Sequence, residues 1–122
     1  MTEAEKKAKE SRVLKENKRL KQIYKDLPKD VLSLYEGLIM RAAYMRVTLE
    51  DYENDMNENG YVEEFSQSDK LEPYERGRPV VGFYNTMSKN YQTIMKQLAD
   101  RLPEQSAVNP SEEIMKYATG IK

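Results

Sequence analysis

The chain contains no cysteine and no histidine. That inventory leaves no disulfide, no thiolate nucleophile, no zinc site built on Cys or His and no His-based triad. Glycine and proline number five each, and the glycines form no phosphate-cradling loop. Gly77-Arg78-Pro79-Val80-Val81-Gly82 lacks the lysine and the spacing of a P-loop. No apolar run approaches about 18 residues, and the charged N-terminal stretch lacks the apolar centre of a signal peptide, so a soluble intracellular protein is expected. No catalytic constellation remains, and the expectation is a non-enzyme with no cofactor and no metal.

What is present is charge and helical periodicity. One hundred and twenty-two residues make one domain, and a chain of this size buries roughly two-thirds of its unfolded surface. With 34% charged against 39% hydrophobic residues and a mean hydropathy of −0.88, the core is modest. Completion of that core by self-association is expected. The net charge of −1 conceals strong segregation. Met1 to Asp26 carries nine Lys/Arg against five acids, whereas Val47 to Arg76 carries ten acids against Lys70 and Arg76. Such asymmetry suggests a basic arm for a polyanion joined to an acidic body.

Two apolar stripes recur at spacings of three and four. The first, Val31, Tyr35, Leu38, Ala42, Met45, Leu49, Tyr52 and Met56, predicts a helix from about Lys29 to Glu58. Leu34 and Ile39 widen it, as a helix with more than one neighbour requires. Pro28 suits the first turn and Asn59-Gly60 the C-cap. The second stripe is Val80, Tyr84, Met87, Tyr91, Ile94, Leu98 and Leu102, with Pro79 at its start and Pro103 at its end. The two helices are expected to lie antiparallel and zip their seams together, which makes the fold class all-α. The segment joining them, 61–78, is too polar for a core strand, and Tyr61, Val62 and Phe65 are expected to tuck against the helices. It is also longer than bundle connections usually are, which favours a functional or interface role.

The N-terminal stretch is helical in composition, with Thr2 and Glu5 as a capping box. Its apolar residues, Val13, Leu14, Leu20, Ile23, Tyr24 and Leu27, fall late. The first ten residues are therefore expected to fray and the rest to form a partly docked basic helix. At the other end Asn109-Pro110-Ser111-Glu112 opens a short helix carrying Ile114, Met115 and Tyr117 and ending at Gly120. The organisation is thus a basic arm at 1–27, a helical hairpin core at 28–102 and a tail at 103–122.

Three clusters invite a functional reading. Lys6, Lys7, Lys9, Arg12, Lys15, Lys18, Arg19, Lys21 and Lys25 could neutralise backbone phosphates, or could form an ordinary solvated helix with internal ion pairs through Glu10 and Glu16. Asp55 to Glu63 matches the first nine positions of a calcium loop, but the twelfth position, where a bidentate Glu is required, is Ser66. A helix ending at an Asn-Gly cap explains the same residues. The acids Glu50, Asp51, Glu53, Asp55, Glu58, Glu63 and Glu64 lack the companion groups of phosphoryl chemistry and read as a solvated face, or one paired with a basic neighbour. The nine tyrosines and the methionines fall on the seams as core filler.

The run Leu38 to Glu50, Asn57-Glu58-Asn59-Gly60-Tyr61, Phe65-Ser66-Gln67-Ser68, Pro73 to Val81 and Tyr84-Asn85-Thr86-Met87-Ser88-Lys89-Asn90-Tyr91 resembles the small subunits of tailed-phage terminases. The likeness covers about Leu32 to Leu102 and lies in layout: a long helix, an Asn-Gly turn, a Ser-Gln linker, Arg-Pro, and a second helix with a polar Asn/Lys patch. It implies a non-enzymatic, all-helical component of DNA packaging in the host cytoplasm. Such a component assembles into a homo-oligomeric ring, binds double-stranded viral DNA and passes it to a large terminase subunit; no membrane is involved. On that reading the nine cations of the arm contact phosphates. The ring is built through the hairpin seams, with Leu38, Met45, Leu49, Tyr52, Tyr84, Met87, Tyr91 and Ile94 at the subunit interface. The tail departs from the family's pattern, opening with acids where many relatives have a Gly-Leu-Thr-Pro-like turn and an Arg-containing helix. No helix-turn-helix precedes the first long helix. A helical interaction or scaffold protein with no DNA role is the alternative.

Overall fold

The structure, a computed structural model, describes residues 1–102. The short helix expected near the C-terminus and the stop at Pro103 lie outside them. Three helices, α1 (Glu3–Ile23), α2 (Lys29–Asn59) and α3 (Pro79–Ala99), are joined by a turn after α1 and by a two-stranded hairpin, β1 (Val62–Phe65) and β2 (Tyr74–Gly77), between α2 and α3. The predominantly helical class expected from periodicity is found, with a small sheet added to it.

Helix α2 is the spine. Its 31 residues span about 46 Å, and both α1 and α3 lie along it. Contacts between α1 and α2 run in opposite senses (Lys9 with Asp51, Glu16 with Arg46, Lys21 with Glu36), so α1 is antiparallel to α2. Helix α3 is antiparallel as well, since Arg78 meets Asp55 at its start and Leu98 joins the core with Ile39 at its end. The core is one cluster of Val13, Leu20, Tyr24, Ile39, Ala42, Ala43, Val47 and Leu98. Ile39, Ala42 and Ala43 have no accessible surface at all. The two alanines, with nothing beyond Cβ, let the flanking helices approach α2 closely. Full burial of Ile39 or Leu98 contributes on the order of 1.5–3 kcal/mol each.

The first ten residues, expected to fray, are helical from Glu3 onward. Thr2 makes its half of the expected cap, its hydroxyl oxygen accepting from the Glu5 amide at 3.1 Å. The apolar content of this stretch is low, but Lys9 and Arg12 reach the acids of α2 and hold the helix down. At the opposite end the Tyr24 hydroxyl donates to the Leu98 carbonyl, fastening α1 to the last turn of α3.

The segment 61–78 contains the one departure from an all-helical chain among the described residues. The strands pair antiparallel with Val62 opposite Gly77, Glu63 opposite Arg76, Glu64 opposite Glu75 and Phe65 opposite Tyr74. Period-two alternation puts Glu63, Phe65, Tyr74 and Arg76 on one face. There Arg76 binds Glu63 at 2.9 Å and lies 3.5 Å over the Phe65 ring, while Phe65 and Tyr74 meet edge-on at 5.9 Å. These cross-strand pairs stabilise a sheet with no core beneath it. Tyr61 and Val62, expected to tuck against the helices, are instead exposed, and Phe65 is covered by Arg76 and Tyr74.

At the root of the hairpin Arg78 closes the gap between α2 and α3. Its guanidinium donates to the Gly60 carbonyl at 2.9 Å and to Asp55 at 2.9 Å. Gly60, the residue after α2, has φ +83° and ψ −174°, a conformation almost closed to residues with a Cβ.

Two predictions follow from this backbone and core. Gly60→Ala should lower stability by about 1–3 kcal/mol through backbone strain alone, since an added Cβ would touch nothing within 4 Å. Gly37→Ala, on the exposed side of α2 and equally uncrowded, should raise it by about 0.5–1 kcal/mol; urea unfolding of both variants reads the opposite signs. The second concerns Tyr24, whose phenol is pushed up to about 12 by burial and, to a smaller extent, by Tyr35. Above its ordinary value near 10 the unfolded chain releases a proton that the folded chain retains, so stability should fall between pH 10 and 12. Tyr24→Phe should cost about 0.5–1.5 kcal/mol at neutral pH and flatten that alkaline loss. Unfolding curves at neutral and alkaline pH compare the two chains.

Candidate nucleic-acid interface

The nine cations expected to contact phosphates divide into two groups. Lys6, Lys9, Arg12, Arg19 and Lys21 are paired with acids. Arg12 binds Asp51 at 2.6 Å and Glu50 at 3.8 Å, and Lys9 lies 3.8 Å from Asp51 with its ammonium 4.7 Å from the centre of the Tyr44 ring. Lys21 reaches Glu36 at 4.0 Å, Lys6 pairs with Glu3 at 3.6 Å, and Arg19 forms a two-pronged contact with Glu16 at 2.7 Å. Most of these contacts are the seam that holds α1 to α2. Arg46 completes it from α2, placed between Glu16 of α1 and Tyr91 of α3.

Lys7, Lys15, Lys18 and Lys25 form no ion pair among the described residues, and all four are exposed. Three of them share one row. Lys7, Ser11, Lys15, Lys18 and Gln22 follow at steps of four, four, three and four, which on a helix is a single face. Val13, Asn17, Leu20 and Tyr24 occupy the opposite side and are buried, so the lysine row points to solvent. No acid falls within it. Lys7 to Lys18 spans about 16 Å, close to five phosphate steps of one DNA strand at about 3.4 Å each. The sequence listed nine cations without distinguishing them; the three-four spacing against Val13, Leu20 and Tyr24 was the signal that separates the row.

The acids expected to form a solvated or paired face are mostly paired. Glu50 and Asp51 serve α1, Glu53 accepts from the Tyr84 hydroxyl at 2.8 Å, and Glu63 holds Arg76. Asp55 accepts from Asn59 at 2.7 Å and from Arg78, contacts that hold its carboxyl below the usual carboxylate range. Asp55, the first position of the calcium-loop match, is thereby engaged in closing α2, as the helix-cap reading expected. Among the described residues no group of three or more acids is placed to hold a metal ion, and no helix is long and apolar enough to cross a membrane.

The eight seam residues expected at a subunit interface lie within the chain. Leu38, Tyr91 and Ile94 pack on the core cluster, Leu49 is buried, and Met45, Tyr52, Tyr84 and Met87 are half-buried. None is exposed, because the seams of α2 and α3 zip together inside one chain. The apolar surface left open is elsewhere. A groove of about 430 Å³ between α1 and α2 is lined by Met1, Val13, Leu14, Met40 and Tyr44 together with Lys6, Lys9 and Glu10. The hairpin adds exposed Tyr61, Val62, Leu71 and Tyr74. Sequence reading placed Met40 in the core and missed both the groove and the Arg78 clamp, since each depends on how α1 and the hairpin sit on α2.

No protein-family model matches the chain, and no curated protein or solved structure matches it either.

The division of the cations is testable by stability alone. Asp51→Asn, which removes the shared partner of Lys9 and Arg12, should cost about 1 kcal/mol and less as salt is raised. Lys15→Ala should stay within about 0.5 kcal/mol of the parent. Thermal unfolding at low and high salt checks both.

Proposed function

We infer that the chain is a non-enzymatic DNA-binding component of the terminase small-subunit kind, gripping duplex DNA by its backbone through the outer face of α1. The observation that carries this reading is the acid-free row of Lys7, Lys15 and Lys18, exposed and without ion-pair partners on a helix whose other cations are already engaged. Three ammonium groups on a rigid helix suit counterion release from phosphates and supply no base-reading geometry, so binding would be tolerant of sequence and steep in salt. Lys25, just beyond the helix, extends the same charge. The resemblance over 32–102 supplies the context: a ring-forming partner of viral DNA and of a large motor subunit, working in the host cytoplasm. The alternative, a helical scaffold without a DNA role, draws on the open groove between α1 and α2 and on the exposed hairpin.

Fluorescence anisotropy on mixed-sequence duplex DNA across a salt series tests the reading. The triple variant Lys7→Ala, Lys15→Ala, Lys18→Ala should bind more weakly, and its slope of log K against log salt should fall by about 2–3. Lys89→Ala on α3 serves as the control. An unchanged slope in the triple variant removes α1 from the DNA contact.

A further inference from the structure

The hairpin carries negative charge that nothing in the chain neutralises. Glu64 stands directly opposite Glu75, both exposed, and like charges at paired positions weaken an antiparallel sheet. In the connecting loop Asp69 and Glu72 flank Leu71, which is 56% exposed. None of these four acids has a cationic partner among the described residues, in contrast to Glu63 with Arg76 on the other face. Arg78 ties the hairpin to the end of α2, and no hydrogen bond, ion pair or ring contact joins it to α1.

Helix α1 presents the converse pattern. Leu14 is 59% exposed and lies between Lys7 and Lys18 on the helix surface. Beside it opens the groove floored by Val13, Met40 and Tyr44, with Lys6 and Glu10 also lining it. One surface is a leucine among acids and the other a leucine among lysines, and both are unpartnered. The chain's own hairpin is poorly placed to fill the groove. Tyr44 lies about 22 Å along α2 from its end at Asn59, whereas four-residue strands reach about 13 Å.

We propose that the hairpin of one copy docks on the α1–α2 groove of a second copy, Leu71 entering beside Leu14 and the loop acids facing Lys7 and Lys18. The two patches differ, so the contact is head-to-tail. Each added copy leaves one hairpin and one groove free, and the assembly grows until it closes into a ring or continues as a filament. The inference stands apart from DNA binding, although Lys7 and Lys18 would serve both. Its test therefore uses protein free of nucleic acid.

Sedimentation velocity of the full chain over a concentration series is the experiment. Two charge-reversed variants are compared with the parent: Asp69→Lys with Glu72→Lys on the hairpin, and Lys7→Glu with Lys18→Glu on α1. The parent should associate, and each variant should need about tenfold or more higher concentration to do so. An equimolar mixture of the two should regain parental association, because the reversed hairpin of one then meets the reversed helix of the other. A second readout is independent of those substitutions. Since the chain has no cysteine, Leu14→Cys and Leu71→Cys chains mixed under mild oxidation should form the mixed disulfide in excess of either homodimer. A parent that stays monomeric at every concentration overturns the proposal and leaves the groove to residues 103–122 or to another protein. Association unaffected by either reversal overturns it as well, and so does weakening that the mixture fails to rescue.

Discussion

Two-sided burial along α2 is the constraint on which the rest of the structure depends. Ile39, Ala42 and Ala43 lose all contact with solvent because α1 and α3 both lie on the same long helix. A helix of 31 residues with apolar positions wider than one seam cannot satisfy itself with one neighbour. Val13, Leu20 and Tyr24 from one side and Leu98 from the other complete the cluster, and Tyr24 ties the two sides together through the Leu98 carbonyl. With the core small, the ion pairs at its edge carry more of the specificity of docking than they would in a larger domain.

Those pairs change the meaning of the charge segregation. A basic N-terminal stretch and an acidic middle look like a binding arm and a repelling body, yet Lys9 and Arg12 lie on Asp51 and Arg46 lies on Glu16. Much of the asymmetry is internal complementarity across an antiparallel helix pair. What remains, the row of Lys7, Lys15 and Lys18, is smaller than the nine cations seen in the sequence and better defined. Any polyanion reading must therefore rest on three or four side chains, and its salt dependence should be correspondingly modest.

The hairpin shows how local chemistry builds structure where a core cannot. Its residues are too polar to be buried, as their composition indicated, but Arg76 bridging Glu63 and covering Phe65 gives the strands their own reason to pair. Ser66 and Ser68 fold the loop back on itself through hydrogen bonds of 2.7 and 3.2 Å. The element stands on the end of the helices, held by Arg78, and exposes its remaining acids and Leu71. Its length beyond an ordinary bundle connection was a correct sign of a separate element. Its strand character went unseen because a single hydrophobic residue per strand face leaves little period-two signal.

Helix positions were determined by the sequence itself. The stripes at 31–56 and 80–102, Pro79, Thr2 and Asn59-Gly60 specify their elements through backbone sterics and the 3.6-residue period, which act over a few residues and need no partner. The assignment of a side chain to core, ion pair or open surface depended on tertiary structure. Lys9 and Lys7 are alike in sequence, and only the approach of α2 makes the first a structural contact and leaves the second free. Met40 and Met45 belong to one pattern, yet the angle at which α1 crosses α2 opens a groove over Met40 and covers Met45. Burial and pairing are properties of two surfaces meeting, and the sequence of one helix does not state where its neighbour will lie.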